Sequence, residues 1–422
     1  MRSKWNTVYF ILFLYIFTDI YTFFGLKSMF PKKSKWVFSI LYLLSSAYIY
    51  FAFYKVYLQL DQGSIFRNTD SSFYLGLFLT ALVGKLVFVL LLFSQDLIRL
   101  FFGGGNFVKR RINKTARNTT TPFFPSRRKF ITATSALLAA IPFSGMLYGI
   151  TKGKYKYTIN HVKLNFPDLP KAFEGFKIAQ ISDVHAGSLD DINSVAKGIQ
   201  MINDQNPDVI LFTGDLINSD PLEIDPFIST FKKLNAKHGK YASLGNHDYY
   251  GLSRNASDEE EASYMQTLQH KFDVMGFHLM NNSNTPIEKK GDRICLLGVE
   301  NWGKGRWFPK KGDIDKALEN LNDDDFCVLL SHDPTHWDEK VLPHSKQIHL
   351  TLSGHTHGFQ FGINMPGFKW SPAQYRYPRW MGLHEKENQY LYINQGFGYL
   401  AFPGRVGIWP EITVIELSRS IS

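Results

Sequence analysis

The chain has 422 residues, 45% hydrophobic and 15% aromatic, with 47 Lys and Arg against 37 Asp and Glu and a formal net charge of +10. That length fits two or three structural units. The composition excludes a disordered or collagen-like chain, and two cysteines exclude a disulfide scaffold. The charge is unevenly placed: residues 1–150 hold 18 Lys/Arg and 4 Asp/Glu, whereas residues 151–422 hold 29 and 33. The first third therefore carries all the positive excess, and the rest is mildly acidic. This argues against nucleic acid as a partner, because polyanion binding needs the opposite sign.

Four apolar stretches lie in that first third, at 8–26, 36–53, 73–93 and 131–150. Each is long enough to cross a hydrocarbon core of about 30 Å as a helix. The sequence thus predicts three transmembrane helices within residues 1–104, a basic cytoplasmic linker over 105–130, a fourth helix at 131–150, and a catalytic domain over 151–422. Asp19 and Lys85 fall inside apolar stretches, where opposite signs allow them to pair or Lys85 to snorkel. The segments 27–35 and 94–130 are rich in Lys and Arg, whereas 54–72 has only Lys55 and Arg67 against Asp61 and Asp70. The positive-inside rule then keeps the basic segments in the cytoplasm and puts residues 151–422 on the outer face. Lys152, Lys154 and Lys156 pull the other way. Ser126-Arg127-Arg128-Lys129-Phe130-Ile131 before the last stretch resembles a twin-arginine export signal, with Thr132 where Lys is usual. An ordinary basic stop before a membrane helix is the alternative. No small-x-small cleavage pattern follows, so the stretch reads as a tether.

From about residue 156 short apolar runs alternate with polar helical patterns. Strands are expected at 177–182, 208–213, 241–244, 294–299, 326–331, 348–353, 390–394 and 412–417, and helices at 190–206, 257–275 and 313–321. Ser257 with Glu260 makes a capping box for the second helix. The alternation argues one α/β domain.

Polar residues gather where these strands end. The first runs into Asp183-Val184-His185, the second into Gly214-Asp215, the third into Gly245-Asn246-His247-Asp248. Two later ones run into Ser331-His332-Asp333 and Gly354-His355-Thr356-His357. In extended backbone residues i and i+2 share a side, so each x-separated pair converges at a carboxyl end, where α/β sheets place ligands. Asp, Asn and His are ligand types for Mn, Fe or Zn. Each piece alone is an ordinary turn; five in order are not.

This order of blocks resembles the calcineurin-like metallophosphoesterase superfamily over about residues 160–418. Asn394-Gln395-Gly396-Phe397-Gly398, Arg405 and Pro410-Glu411 resemble the end of its bacterial membrane-associated branch, with Phe397 and Trp409 departing from the usual residues. The resemblance implies a four-layer α/β/β/α sandwich, here preceded by an all-α transmembrane region of about four helices, and a site for two divalent transition-metal ions. Asp183, His185, Asp215 and His357 would hold the first ion, and Asp215, Asn246, His332 and His355 the second, with Asp215 bridging. The ions would clamp phosphoryl oxygens and turn a bridging water into hydroxide near neutral pH. His247 would protonate the leaving oxygen or stabilise charge on the phosphoryl group, Asp248 would hydrogen-bond and orient that histidine, and Arg405 would contact a phosphate or, alternatively, form a structural salt bridge. His336, His344 and His349 read as ordinary residues, and Cys295 and Cys327 as buried free thiols.

The aromatic and basic segment 359–381 follows directly on His357 and could form an interfacial lip, and 304–311 has a similar mix. The leading reading is a membrane-anchored enzyme of the bacterial cytoplasmic membrane that hydrolyses a phosphodiester or pyrophosphate bond. Its partners are membrane lipids and a phosphorylated small-molecule or lipid substrate. The alternatives are a cytoplasm-facing nucleotide–lipid pyrophosphatase and a non-catalytic metal-bound scaffold.

Overall fold

A computed structural model describes residues 2–61, 69–112, 125–252, 256–306 and 308–419. It divides into two units, one of Met1–Gly63 with Phe73–Tyr148 and one comprising Gly149–Ser422.

The first unit is built from α1 (Arg2–Lys27), α2 (Lys35–Asp61), α3 (Thr69–Ile112) and α4 (Pro125–Thr151). Stretches long and apolar enough to cross a membrane run over Val8–Lys27, Lys32–Gln59, Ser72–Ile98 and Lys129–Thr151. Phe10, Phe13, Leu41, Leu44, Leu90, Leu137 and Ile141 face outward. Helices apolar on their outer as well as inner faces suit hydrocarbon as solvent. Inside, Lys85 Nζ lies 2.5 Å from Asp19 Oδ1, so the two intramembrane charges pair. Asp19 also accepts from Ser46 (2.8 Å) and Tyr42 (2.9 Å). Helix α3 continues to Ile112 and α4 begins at Pro125, so both run into the segment 105–130 assigned above to a linker. A helix already nucleated adds a bond per residue, and Gly costs it only about 1 kcal/mol each. Of that segment, residues 113–124 lie outside the described ones.

The second unit contains two six-stranded sheets. The first sheet comprises β1 (Thr158–Asn165), β2 (Phe176–Ile181), β3 (Val209–Thr213), β4 (Lys240–Ser243), β5 (His278–Leu279) and β14 (Glu411–Ser418), in the order β1-β14-β2-β3-β4-β5. The second comprises β6 (Ser283–Lys289), β7 (Asp292–Gly298), β8 (Cys327–Leu330), β9 (Leu350–Ser353), β12 (Gly382–Lys386) and β13 (Gln389–Ile393), in the order β12-β13-β9-β8-β7-β6. A hairpin, β10 (Ile363–Met365) with β11 (Phe368–Trp370), stands apart. Strands β2 to β5 run parallel, as do β7, β8, β9 and β13.

Alternation along the strands builds three cores. Ile178, Val209, Leu211 and Ile415 from the first sheet meet Ile294, Leu296, Val328, Leu330 and Leu352 from the second. The alternate residues Ala179, Ile181, Ile210 and Phe212 face α5 (Ile192–Asn203), α6 (Ile228–Phe231) and α7 (Asp258–Met275) through Val195, Ile199, Phe231, Phe272 and Met275. On the outer face of the second sheet, Leu297, Leu329 and Ile393 pack on Ile314 and Ala317 of α8 (Ile314–Ala317) and on Trp337 and Val341. The layers are therefore helix, sheet, sheet, helix. Asp191 caps α5, and Ser257 with Glu260 closes the expected capping box on α7. The third expected helix is a single turn, capped by Asp313. Phe397, one of the departures noted above, is a core residue whose ring packs tilted against Tyr157, centroids 4.4 Å apart. Cys295 and Cys327 are opposite each other in adjacent strands, buried and free.

Candidate metal centre

The carboxyl ends of β2, β3, β4, β8 and β9 converge, three from one sheet and two from the other. The chain turns sharply at each end. Asp183, His185, Asp215, His355 and His357 all have φ between 49° and 70°. A non-glycine residue in that region costs roughly 1–3 kcal/mol and persists only where its surroundings impose it. Here they do. The Asp183 amide donates to Gly214 O, the His185 amide to Asp215 O (3.2 Å), and the His355 amide to the Asp183 carboxylate (3.0 Å). Gly354 and Gly245 pack so closely on Asp183 and Asp215 that neither has room for a Cβ.

Two groups of ligand-type atoms result, Asp183 with His185 and His357, and Asp215 with His332 and His355. Asp215 Oδ2 lies 3.1 Å from His332 Nε2 and 3.5 Å from His185 Nε2, so one carboxylate touches a member of each group. His357 Nε2 is 3.1 Å from Asp183 Oδ1 and 3.0 Å from His185 Nε2. His355 Nδ1 is 2.8 Å from Asn246 Oδ1 and 3.3 Å from His332 Nε2.

The donor chemistry fits a pair of cations. His332 Nδ1 meets the Thr213 carbonyl at 2.7 Å, and a carbonyl only accepts, so Nδ1 carries a proton and Nε2 is the nitrogen turned toward Asp215. His185 Nδ1 is held likewise by Asn218 Oδ1 (3.1 Å). His355 points its Nε2 at Tyr377 OH (2.8 Å) and Asp333 Oδ2 (3.5 Å), leaving Nδ1 for the site. Asn246 is oriented by donating to Tyr250 OH. His357 is the exception, because its Nδ1 faces the Arg405 guanidinium at 3.1 Å. Burial holds His185 and His355 below the usual imidazole range, which keeps them neutral. Burial alone would raise Asp183 and Asp215, but the facing imidazoles, His357 for Asp183 and His332 for Asp215, hold both well below the usual carboxylate range. Against its own burial, His332 is pushed up to about 10 by Asp215. The site thus demands positive charge.

Two expected roles are corrected by the geometry. Asp248 does not orient His247: its fully buried carboxylate accepts from the backbone amides of Gly245 (2.8 Å), Asp215 (2.9 Å) and Leu216 (2.9 Å). It ties together the loops after β3 and β4. His247 instead donates from Nδ1 to Asn218 O at 2.9 Å. Arg405 does not face a substrate: it is fully buried, with donors on Gly398 O and Gln395 O. The outlying histidines are structural, His336 on Ser331, His344 on Asp315 and His349 on Asp168. Sequence reasoning missed Asn218, Tyr377 and the contact of Asp333 with His355. Only Asp333 had a signal, its place next to His332.

A cleft of about 390 Å³ opens over Asp215, Asn246, His355 and His357. Its wall carries His247, Tyr250, Phe308, Phe359, Tyr377 and Arg376.

Comparison with known proteins agrees with this centre. Residues 2–154 match the family described as "Probable Calcineurin-like phosphoesterase, transmembrane domain", and residues 176–359 match "Calcineurin-like phosphoesterase". An uncharacterized metallophosphoesterase of Bacillus subtilis, YkuE, is 30% identical over 301 residues, 70% of this chain and 98% of its own length. A transmembrane protein with metallophosphoesterase domain from Danio rerio is 28% identical over 281 residues, 65% of this chain and 60% of its own. The chain thus spans about 60% of that longer relative. A second Bacillus subtilis protein, YkoQ, is 26% identical over 67% of this chain and 97% of its own length. Aligned with YkuE along nearly all of that protein, and matched by the transmembrane family ahead of it, the chain belongs to the calcineurin-like metallophosphoesterases and carries the membrane-spanning unit of the transmembrane family.

Proposed function

We propose that the chain hydrolyses a phosphodiester or pyrophosphate bond of a lipid or lipid-linked substrate, using two divalent ions of the Mn, Fe or Zn type. Asp183, His185, Asp215 and His357 would hold one ion; Asp215, Asn246, His332 and His355 would hold the other. The observation that carries this reading is the Asp215 carboxylate, within 3.5 Å of an imidazole from each group. When bound, such a pair of ions supplies charge for the phosphoryl oxygens and a nucleophile from water near neutral pH.

The remaining work falls to this chain's own side chains. His247 keeps its Nδ1 proton on Asn218 O, so Nε2 is the nitrogen that can hand a proton to a leaving oxygen in the cleft. Its ring packs on Tyr250 at 4.3 Å and on His185 at 4.8 Å, which limits its swing. Arg376, exposed at the mouth, offers a guanidinium to a second phosphate or a headgroup. Tyr250, Phe308, Phe359 and Tyr377 make the wall apolar, which suits an organic group more than inorganic phosphate.

A lipid substrate is supported by the four apolar spans and by the surface beside the cleft. Phe359, Phe361, Ile363, Met365 and Phe368 are exposed there with Lys369 on the same hairpin. An apolar strip with a cation suits a headgroup layer. The distribution of Lys and Arg favours the outer face for this unit.

The test uses the full chain in detergent micelles, loaded with Mn, Fe or Zn. Matched substrates carry the same phosphodiester or pyrophosphate bond on a lipid or on a water-soluble group. Preference for the lipid form by tenfold or more in kcat/KM supports the reading. A two-metal protein that cleaves neither form, with Asp215→Asn indistinguishable from the parent, establishes a metal-bound scaffold instead. A reporter fused at Ser422 that works only in the cytoplasm overturns the outer-face assignment.

A further inference from the structure

We propose that the four-helix unit is itself a binding site for a neutral lipid whose polar head carries an oxygen acceptor. A cavity of about 420 Å³ lies among all four helices, bounded by Thr22, Ser46, Lys85, Phe88, Ala139 and Phe143. That volume is in the range of small-molecule sites, and its walls are mostly apolar, as such sites require.

Two polar groups on the wall point to a ligand. Lys85 is the middle residue of the 27-residue span Ser72–Ile98, some 20 Å from either end at 1.5 Å per residue. Its ammonium has three N–H donors. One meets Asp19 Oδ1 at 2.5 Å and one meets Tyr15 OH at 2.6 Å, leaving a donor for an acceptor beside the cavity. Thr22 is 5% exposed, and its hydroxyl has no hydrogen-bond partner among the described residues. A helical Thr at this depth ordinarily bonds the carbonyl a turn back. A buried hydroxyl without a partner costs about 1–3 kcal/mol, a cost that a ligand's oxygen removes.

The chemistry of the head follows from the charge. Asp19 is satisfied by Lys85, Ser46, Tyr42 and Tyr50, and the Asp19–Lys85 pair is neutral as a whole. An anionic head would have to be desolvated at mid-span without a cation of its own. A hydroxyl or carbonyl head accepts from Lys85 or Thr22 with no such cost, and its chain meets the apolar wall.

The experiment is photocrosslinking of the full chain in proteoliposomes. The probes are a diazirine-bearing C16 alcohol and the matching C16 carboxylate at pH 8, with attachment sites read by peptide mass spectrometry. The alcohol should attach saturably to cavity residues such as Phe88 and Phe143 and be displaced by excess unlabelled hexadecanol. Ala139→Phe, which fills the cavity, should lower that attachment at least about tenfold. Thr22→Val, nearly isosteric, should lower it roughly two- to tenfold, the worth of one hydrogen bond. Should Ala139→Phe fail to insert, Thr22→Val decides. Equal attachment to outward residues such as Leu90 and Leu137, attachment of the carboxylate as strong as that of the alcohol, or no effect of Thr22→Val overturns the proposal.

Discussion

Arg405→Lys distinguishes a buried brace from a substrate contact, because the two roles predict opposite rankings of Lys and Met at this position. The guanidinium spans two backbone carbonyls, Gly398 O (2.8 and 2.5 Å) and Gln395 O (2.7 Å), and touches His357. Burial pushes it down from 12.5 to about 10, which corresponds to about 3 kcal/mol of unfavourable desolvation while it stays charged at neutral pH. Met removes that desolvation and orphans two carbonyls at about 1–3 kcal/mol each, so the net change runs from about 1 kcal/mol gained to about 3 kcal/mol lost. Lys keeps a more strongly hydrated charge in the same dry place and cannot fork between two carbonyls. Its loss should resemble that of a broken buried charge contact, about 3–5 kcal/mol.

At roughly 2–4 °C per kcal/mol for a domain of this order of size, Arg405→Lys should lower Tm by at least about 6 °C, and by more than Arg405→Met. The assay is tryptophan fluorescence during thermal unfolding of the full chain in detergent, with KM measured on the same preparations. KM for a phosphoester should move less than twofold in whichever variant stays folded. If Arg405→Lys unfolds within about 2 °C of the parent while KM rises tenfold, Arg405 meets the substrate and the brace is refuted.

Other outcomes follow from the same geometry. Asp215→Asn should reduce bound metal from two ions to one or none by elemental analysis and cut kcat at least about a hundredfold, since this carboxylate serves both groups. His247→Gln should leave metal content unchanged and lower kcat by about 10²–10⁴ for alkyl leaving groups, and far less for p-nitrophenolate, which needs no proton. Gly354→Ala should displace Asp183, seen as loss of metal affinity with the fold's circular dichroism retained. His336, pushed down to about 4 by burial, stays neutral in the fold between about pH 4 and 6.5, whereas in the unfolded chain it takes up a second proton and becomes charged. Stability therefore falls as pH drops from about 6.5 to about 4, by up to about 3 kcal/mol, and His336→Asn should flatten that part of the curve in urea titrations.

The eight strands expected from apolar runs are all present, because each lies inside a sheet with both faces buried. The strands that escaped sequence reading are edges or short pieces. β1 reads Thr-Ile-Asn-His-Val-Lys-Leu-Asn, pairs on one side only, and is half-exposed along most of its length. β12 and the hairpin β10–β11 are exposed likewise, so nothing forces a hydrophobic alternation on them. The expected helix 313–321 is a single turn, in which Ile314 and Ala317 are buried in the core while Leu318 and Leu321 beyond it pack there only partly buried.

The centre divides along a similar line. The gathering of Asp183, His185, Asp215, Asn246, His332, His355 and His357 could be expected because metal chemistry selects residue types, and each lies within four residues of a strand's carboxyl end. What orients them was not legible, because much of it is backbone. Thr213 O sets His332, Asn218 O sets His247, and the amides of Gly245, Asp215 and Leu216 claim Asp248. Adjacency misled at His247-Asp248: on the 3₁₀ turn His247–Tyr249 successive side chains diverge by about 120°, so neighbours in sequence face different partners. Arg405 misled for the converse reason. Its guanidinium chemistry suits a phosphate, but two carbonyls from the Gln395–Gly398 turn reach it first, and a buried carbonyl without a donor is as demanding as a substrate. Which acceptor wins depends on the path of the chain between residues 395 and 405, and no residue type encodes that path.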